Sequence, residues 1–125
     1  MSITCEFEDK DTYLLVRAIG KEGSVEDVMG YAKAIEDYGA SSSFKKLLLD
    51  ERALDSTVSV SSVYEAAAAI AKEALGLFYK VACVPNEKGR QGCADFELFA
   101  NNRGLNYKWF ESIEEAEGWF QAEEE

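Results

Sequence analysis

The sequence predicts a single α/β domain with a five-stranded, mostly parallel sheet and helices mainly on one face. Apolar runs typical of strands alternate with amphipathic helical runs in the order β-β-α-β-α-β-α-β-α. The central run at residues 47–49 stops abruptly at charged residues and leads into a helix, which is half of a β-α-β unit. A chain of 125 residues has the size of one domain.

Each predicted element rests on a local pattern. Residues 3–8 alternate apolar and polar side chains like a half-buried strand, and a short turn joins them to a second strand, so these two form an antiparallel hairpin. Right-handed crossovers make the later strands parallel to the second one. The later predicted strands are 12–19, 46–49, 77–84 and 107–110. The predicted helices are 25–39, which Ser24 caps and Gly39 ends, 60–75, which Gly76 ends, 93–102, and a last one from residue 112.

The two faces of the predicted sheet differ in polarity. One face is nearly all apolar, whereas the other carries a charged or strongly polar residue in every strand. A sheet covered by helices on both faces is expected to be apolar on both, so we expect helices mainly on one face. The other face is then partly open, either to solvent or to a second copy of the chain. The candidate contacts of such a homodimer are Tyr13, Leu15, Arg17 and Leu48.

Composition narrows the classes of function. The formal charge of −11, from 24 acidic and 13 basic residues, argues against nucleic acid or an anionic membrane as a partner. The sequence contains no histidine, and we see no nucleophile–base pair, so we do not expect an enzyme. Cys5, Cys83 and Cys93 lack metal-ligand spacing, so we expect no metal and no cofactor. The first residues lack the features of a signal peptide, so we expect a cytoplasmic protein.

Polar residues after the third and fourth strands form the candidate binding loops. Asp50, Glu51 and Asp55 could hold a divalent cation, but Arg52 among them favours internal ion pairing. Lys88 and Arg90 lie at the same predicted sheet end, beside a helix N-terminus, where an anion or another small ligand could bind. The segment lacks the spacing of a phosphate-binding loop. Cys93 opens the predicted third helix, and we expect it to have a packing role.

Ser56 and Thr57 precede the second predicted helix, and their first expected role, which Ser59 shares, is to cap it. A hydroxyl at that position accepts a hydrogen bond from a free backbone N–H group. A phosphate would also be tolerated at a helix N-terminus, although Glu51 and Asp55 would oppose it. Helix cap and phospho-acceptor therefore both remain open for these two residues.

The chain resembles the STAS-like (SpoIIAA-like) family, in particular its small stand-alone bacterial members of uncharacterised function. The resemblance rests on the element order, on LLLDER at residues 47–52, and on the ending at residues 96–120, which contains Asn102-Arg103-Gly104 and a Glu-Ala-x-x-Trp pattern. It implies a SpoIIAA-like β-α superhelix and a non-catalytic regulatory module that acts through protein–protein contacts.

The resemblance also implies a candidate modification site. In the anti-sigma-factor antagonists of this fold, a partner kinase phosphorylates the serine of a D-S-S-G-type motif at a helix start. Asp55-Ser56-Thr57 falls in the comparable place, with a shorter preceding loop and without the glycine. The related CRAL-TRIO-like branch binds lipids in an apolar cavity but needs a much longer chain, so we do not expect a bound lipid.

Overall fold

In the computed structural model, which describes residues 3–74 and 77–122, five strands form one sheet in the order β1-β2-β3-β4-β5. β1 is antiparallel to β2, and every other neighbouring pair is parallel. The predicted element order and strand directions are thus confirmed. The strands are β1 (Ile3–Asp9), β2 (Leu14–Glu22), β3 (Lys46–Ser56), β4 (Lys80–Pro85) and β5 (Tyr107–Trp109). The helices are α1 (Val25–Gly39), α2 (Val60–Ala74), α3 (Arg90–Asn101) and α4 (Ile113–Ala122).

α1 begins at its predicted cap. The side chain of Ser24 accepts a hydrogen bond from the Asp27 backbone N–H, and the Asp27 carboxylate accepts one from the Gly23 backbone N–H. Gly39 is the last residue of α1, as predicted, but it has a second role. A Cβ at this position would lie 2.8 Å from the ring of Phe78, so only glycine allows this close approach. The predicted end of α2 at Gly76 falls outside the described residues.

Three helices cover one face of the sheet. Buried residues of α1, α2 and α3 join those of the strands in the larger core cluster, which includes Tyr31, Ile35, Ala71, Cys93 and Ala100. α2 packs mainly against α1 and α3. This arrangement matches the expected placement of most helices on one face.

The second face of the sheet is covered by α4, so the expected open face is wrong. Tyr13, Leu15 and Leu48 are buried and form a second core cluster with Ala116 and Phe120 of α4. These three residues cannot meet a second copy of the chain while α4 is in place. Arg17, the fourth candidate contact, lies at the margin, where its guanidinium pairs with Glu8 at 3.7 Å.

Two lysines on the face beneath α4 account for the wrong expectation that this face is open. Lys46 and Lys80 are the charged residues that β3 and β4 contribute to this face, yet both are buried. The Lys80 ammonium donates to the backbone carbonyl of Trp119 at 2.8 Å, and the Lys46 ammonium donates to that of Phe120 at 3.2 Å. These carbonyls belong to the last turn of α4, where a helix has unpaired acceptors and favours positive charge. The lysines therefore hold the end of a helix instead of facing solvent.

β3 continues well beyond the predicted end at residue 49, because β2 continues beside it. Residues 53–56 of β3 pair with 19–22 of β2, after a register shift that places one extra residue in β3 between the partners of Arg17 and Ile19. Such a bulge interrupts the alternation of side chains between the two faces. Glu51 and Leu54 consequently point to the same face, the one that α1, α2 and α3 cover. No helix within the described residues has the length and apolar character that crossing a bilayer would require.

Candidate functional site

A cavity of about 320 Å³ opens where β3 ends, between the sheet and the three helices of the larger cluster. We call it the Glu51 cavity. Most of its wall is apolar, because α1 and α2 turn branched side chains towards it, among them Val28, Val63 and Ile70. Its polar groups come from the ends of β2 and β3, from α1, and from the segment that leads into α3. The residues that matter for its chemistry are Glu22, Tyr31, Glu51, Ser56 and Cys93.

The Glu51 carboxylate is enclosed by protein atoms but keeps partial accessibility, because it lines this cavity. Oε2 accepts a 2.8 Å hydrogen bond from the Tyr31 hydroxyl, and Oε1 lies 3.9 Å from the thiol of Cys93. Burial raises the pKa of Glu51, and the hydrogen bonds from Tyr31 and the two thiols of Cys83 and Cys93 offset only part of this effect. The same burial, together with the charge of Glu51, holds the pKa of Tyr31 well above its usual range.

A second carboxylate lines the cavity. Glu22 is the last residue of β2, and its Oε1 accepts a 2.9 Å hydrogen bond from the hydroxyl of Ser56. Burial, followed by repulsion from Glu51, raises the pKa of Glu22 to about 7. The Ser56 hydrogen bond and the charge of Asp27 are smaller influences with opposite signs. Two acidic groups with raised pKa values therefore face one apolar cavity.

Behind Glu51 lies a pair of thiols that the sequence did not suggest. The Sγ atoms of Cys83 on β4 and Cys93 on α3 are 3.4 Å apart, although the residues are ten positions apart. With a Glu51 oxygen they form a group whose ligand atoms lie within 4.8 Å of one another, a geometry that could hold a metal ion. However, burial and the Cys93 thiol hold the pKa of Cys83 well above its usual value, which favours protonated thiols. The expectation of no metal remains a prediction.

The acidic cluster predicted after the third strand is divided between the two faces of the sheet. Asp50 points away from the Glu51 cavity and forms two hydrogen bonds with the Arg52 guanidinium, at 2.8 and 2.9 Å, while Arg17 lies 3.8 Å away. Burial would raise the pKa of Asp50, but the hydrogen bonds and charge of Arg52 outweigh it and lower the pKa. The ion pair between Asp50 and Arg52 agrees with the internal pairing that the sequence predicts. Asp50, Glu51 and Asp55 do not converge on a cation site.

The loop after β4 is held by hydrogen bonds within itself and to the end of β3. Residues 87–89 form a 3₁₀ turn that Asn86 caps, since its Oδ1 accepts the Gly89 backbone N–H at 2.9 Å. The amide of Asn86 also donates to the Leu54 carbonyl at 2.8 Å and so ties the two loops together. Lys88 pairs with Asp55 at 3.3 Å, and Arg90 lies 3.7 Å from Glu111. Because both basic side chains already face carboxylates and the cavity is acidic, an anion site is not supported.

Ser56 and Thr57 do not cap α2, so that expectation is wrong. Ser56 is the last residue of β3, and the Thr57 backbone N–H donates to the Glu22 carbonyl at 2.9 Å as an extension of the strand pairing. Ser59 is the cap, since its hydroxyl accepts the Ser62 backbone N–H at 3.3 Å. α2 begins at Val60, as predicted, but the unexpected length of β3 places Ser56 in the strand and Thr57 directly beside it, so neither reaches the cap position.

A second cavity adjoins the first. It has a volume of about 410 Å³ and lies towards the opposite end of the sheet, next to Leu47, Phe78 and Val81; we call it the Phe78 cavity. The two cavities have six lining residues in common, which form a shared wall: Ala32, Ile35, Leu49, Ile70, Phe96 and Tyr107. The two cavities thus lie next to each other between the helices and the sheet, with this apolar wall between them.

Sequence reasoning named Glu51 as part of a loop site but missed Glu22 and Tyr31. One indication was available: Tyr31 lies three residues after Val28 and four before Ile35, on the apolar face of α1, where a hydroxyl needs a buried partner. No comparable indication exists for Glu22, because its position depends on the extension of β2.

No family model matches the sequence, and no curated protein matches it. The solved structures that are similar to this chain over nearly its whole length include the following two. An uncharacterised protein of the DUF3478 family with a SpoIIAA-like fold, from Shewanella loihica PV-4, has 21% identity and a TM-score of 0.58, covering 94% of this chain and 93% of that one. The anti-sigma factor antagonist SpoIIAA, in its unphosphorylated form, has 12% identity and a TM-score of 0.60, covering 95% of this chain and 97% of that one. These similarities establish the fold.

Proposed function

We propose that this chain, which has the SpoIIAA-like fold, is a non-catalytic regulatory module that acts by binding another protein. The observation that carries the proposal is the similarity to SpoIIAA, an anti-sigma factor antagonist, over nearly the full length of both chains. A protein built on this architecture can present a partner surface without any catalytic group.

The chemistry of the Glu51 cavity agrees with a non-catalytic role. The sequence has no histidine, and burial keeps the thiol of Cys83 and the hydroxyl of Tyr31 in their protonated forms near neutral pH. A nucleophile needs a lowered pKa or an adjacent base. The carboxylate of Glu51 is the only adjacent base among the described residues that contact Tyr31 and Cys93, and its own hydrogen bonds restrain it.

The start of α2 is the surface that we propose for the partner. Val60 and Tyr64 are 58% and 49% exposed, so two large side chains of this helix face solvent one turn apart. The ring of Tyr64 is held edge-on against Phe99 with centroids 5.0 Å apart, and the Arg103 guanidinium lies 4.8 Å from its centroid. Tyrosine and arginine are among the residue types that are enriched at the energetic hot spots of protein interfaces.

The proposed function does not use Ser56 as a phosphorylation switch. Its hydroxyl donates to the Glu22 carboxylate, and Glu51 lines the same cavity. A phosphate at Ser56 would therefore meet negative charge in a partly buried place. A homodimer and a cytoplasmic location also remain predictions, and any dimer would need a surface other than the one beneath α4.

Partner capture with matched variants tests the proposal. The tagged protein is chemically crosslinked in the cells that make it, the captured protein is identified, and the complex is rebuilt from two purified components. Tyr64→Ala should weaken the rebuilt complex at least about tenfold, as for the loss of an interface hot spot. Tyr79→Ala is the control, because Tyr79 is 55% exposed at the other end of the sheet. Equal weakening by both variants, or no complex with the wild type, would contradict the proposal.

A further inference from the structure

We propose that the Glu51 cavity binds a small amphipathic amine, whose ammonium group lies between the carboxylates of Glu22 and Glu51 and whose hydrocarbon part occupies the apolar wall. This inference goes beyond protein binding, and it stands on the cavity rather than on the surface of α2.

The carboxylates of Glu22 and Glu51 have no positively charged partner in the cavity within the described residues. Both carboxylates line the cavity, and within the described part of the chain neither forms an ion pair with a lysine or arginine. Lys88 is the one basic residue among the lining side chains, and its ammonium lies 3.3 Å from Asp55. Buried carboxylates are costly without a cation, so a bound ammonium group would stabilise them.

The same two carboxylates can accept further hydrogen bonds. Glu22 Oε1 accepts from Ser56, and no described group donates to its Oε2. Glu51 Oε2 accepts from Tyr31, whereas its Oε1 has only thiol neighbours, with Cys93 at 3.9 Å. An ammonium group has three donors and would bring charge-assisted hydrogen bonds to Glu22 Oε2 and to Glu51 Oε1, where the thiol of Cys93 makes only a long, weak hydrogen bond. The hydroxyls of Tyr31 and Ser56 fix the two carboxylates in place for this contact.

The two cavities have the size and the apolar lining that a hydrocarbon chain needs. The Glu51 cavity and the Phe78 cavity have volumes of about 320 and 410 Å³, and pockets for small molecules are roughly 300 to 1,000 Å³. Their shared wall is apolar apart from the hydroxyl of Tyr107. A hydrocarbon chain attached to the ammonium group would therefore meet apolar side chains along its length.

Charge complementarity selects the class of ligand. A carboxylate or phosphate ligand would be repelled by Glu22 and Glu51. A neutral alcohol could bury its chain but would leave the negative charge uncompensated. The pKa of Glu22, which burial raises to about 7, should fall when a cation binds beside it, because a neighbouring positive charge favours the ionised form.

The carboxyl group of Glu22 determines how the binding of the amine should depend on pH. Glu22 is faced by Glu51 and Ser56 of β3 and by Asp27 of α1; Lys88, paired with Asp55, and Asp95 of α3 also line the cavity. Because the amine stays protonated across this range, the affinity should increase as the pH rises through about 7, when Glu22 loses its proton.

Three probes with one hydrocarbon chain test the proposal: octylamine, octanol and octanoate. Their affinities for the full chain are measured by NMR titration, with shifts expected at residues around the cavity. A charge-assisted contact corresponds to about ten- to hundredfold tighter binding of octylamine than of octanol. Octanoate should bind more weakly than octanol. Octanol or octanoate binding as tightly as octylamine, or no binding of octylamine, would overturn the proposal.

Neutral variants locate the ammonium group. Glu51→Gln and Glu22→Gln should each lower the affinity for octylamine about tenfold and leave that for octanol unchanged. The unchanged octanol affinity also shows that the variant cavity is intact. Glu114→Gln is the matched control, because Glu114 is exposed on α4 at the other face of the sheet. Unchanged octylamine binding in both cavity variants, or an equal loss in the control, would overturn the proposal. Partner capture by Tyr64 is a separate measurement, so the two proposals can fail independently.

Discussion

The Lys80 ammonium donates a 2.8 Å hydrogen bond to the Trp119 carbonyl and lies 5.0 Å from the centre of the Trp119 ring. Lys80 is 1% exposed, so β4 carries a buried cation at its first residue. The role of this cation is to hold the end of α4. This contact attaches the last helix to the second face of the sheet. It also accounts for a polar residue at a core position, because the helix end supplies acceptors that water would otherwise supply.

The first prediction concerns this attachment. Lys80→Ala should lower the free energy of unfolding by about 2–4 kcal/mol, because it removes a packed side chain and leaves helix carbonyls without a donor. Urea denaturation measures the effect. Lys108→Ala is the control, since Lys108 is exposed on β5, and it should change stability by less than about 0.5 kcal/mol. Similar values for the two variants would show that Lys80 does not hold α4.

The second prediction separates core from dimer interface. Leu15 is 4% exposed beneath α4, so Leu15→Glu should lower the free energy of unfolding by about 3 kcal/mol or more. Ile19 lies on the same strand and is 38% exposed, so Ile19→Glu should have a small effect. Light scattering beside denaturation distinguishes the two roles. A Leu15→Glu protein with unchanged stability and half the wild-type mass would support the dimer face instead.

The third prediction concerns the serines before α2. Ser59→Ala should lower the free energy of unfolding by about 1 kcal/mol, as for the loss of a helix cap. Ser56→Asp should lower the melting temperature, since it places a carboxylate against Glu22 and removes the donated hydrogen bond. Ser56→Ala removes the hydrogen bond without adding charge and is the matched comparison. A Ser56→Asp protein as stable as Ser56→Ala would contradict the predicted repulsion.

The fourth prediction concerns the pH dependence of stability. Glu22 has a pKa raised to about 7 in the folded chain, so between its unfolded value and about 7 the folded state binds more protons than the unfolded state. The contribution of Glu22 to stability is therefore present at low pH and is lost as the pH rises through about 7. Glu22→Gln should flatten this part of the stability–pH curve, whereas Glu114→Gln should not. Identical stability–pH curves for the wild type and Glu22→Gln would refute the prediction that Glu22 causes this pH dependence.

The fifth prediction concerns metal. Because the raised pKa of Cys83 favours protonated thiols, zinc would have to displace protons to bind beside Glu51 and Cys93. We expect the purified protein to contain less than stoichiometric zinc or iron by elemental analysis. One zinc per chain that is lost in Cys83→Ser but retained in Cys5→Ser would contradict this expectation.

Local patterns were enough for the order and type of the elements. Ser24 caps α1 as its sequence predicts, and Gly39 lies at the end of that helix. The apolar run at residues 47–49 forms the central strand, and the hairpin, the parallel strands and the SpoIIAA-like architecture follow from element order and handedness. These features depend on contacts between residues close in sequence, or on rules of chain connection that hold for any α/β protein.

Contacts between distant residues decided the rest. The burial of Lys80 depends on α4, which lies about forty positions away along the chain, and no local pattern distinguishes a lysine that binds a helix end from one in solvent. The pairing of β3 with an extended β2 brings Glu22 to the cavity that Glu51 and Tyr31 line, and the bulge in β3 turns Leu54 and Ser56 to the same face as Glu51. Cys83 and Cys93 meet because a strand and a helix pack together. The sequence by itself therefore determined the architecture, whereas the chemistry of the site was decided by tertiary packing, since only packing brings these side chains within contact distance.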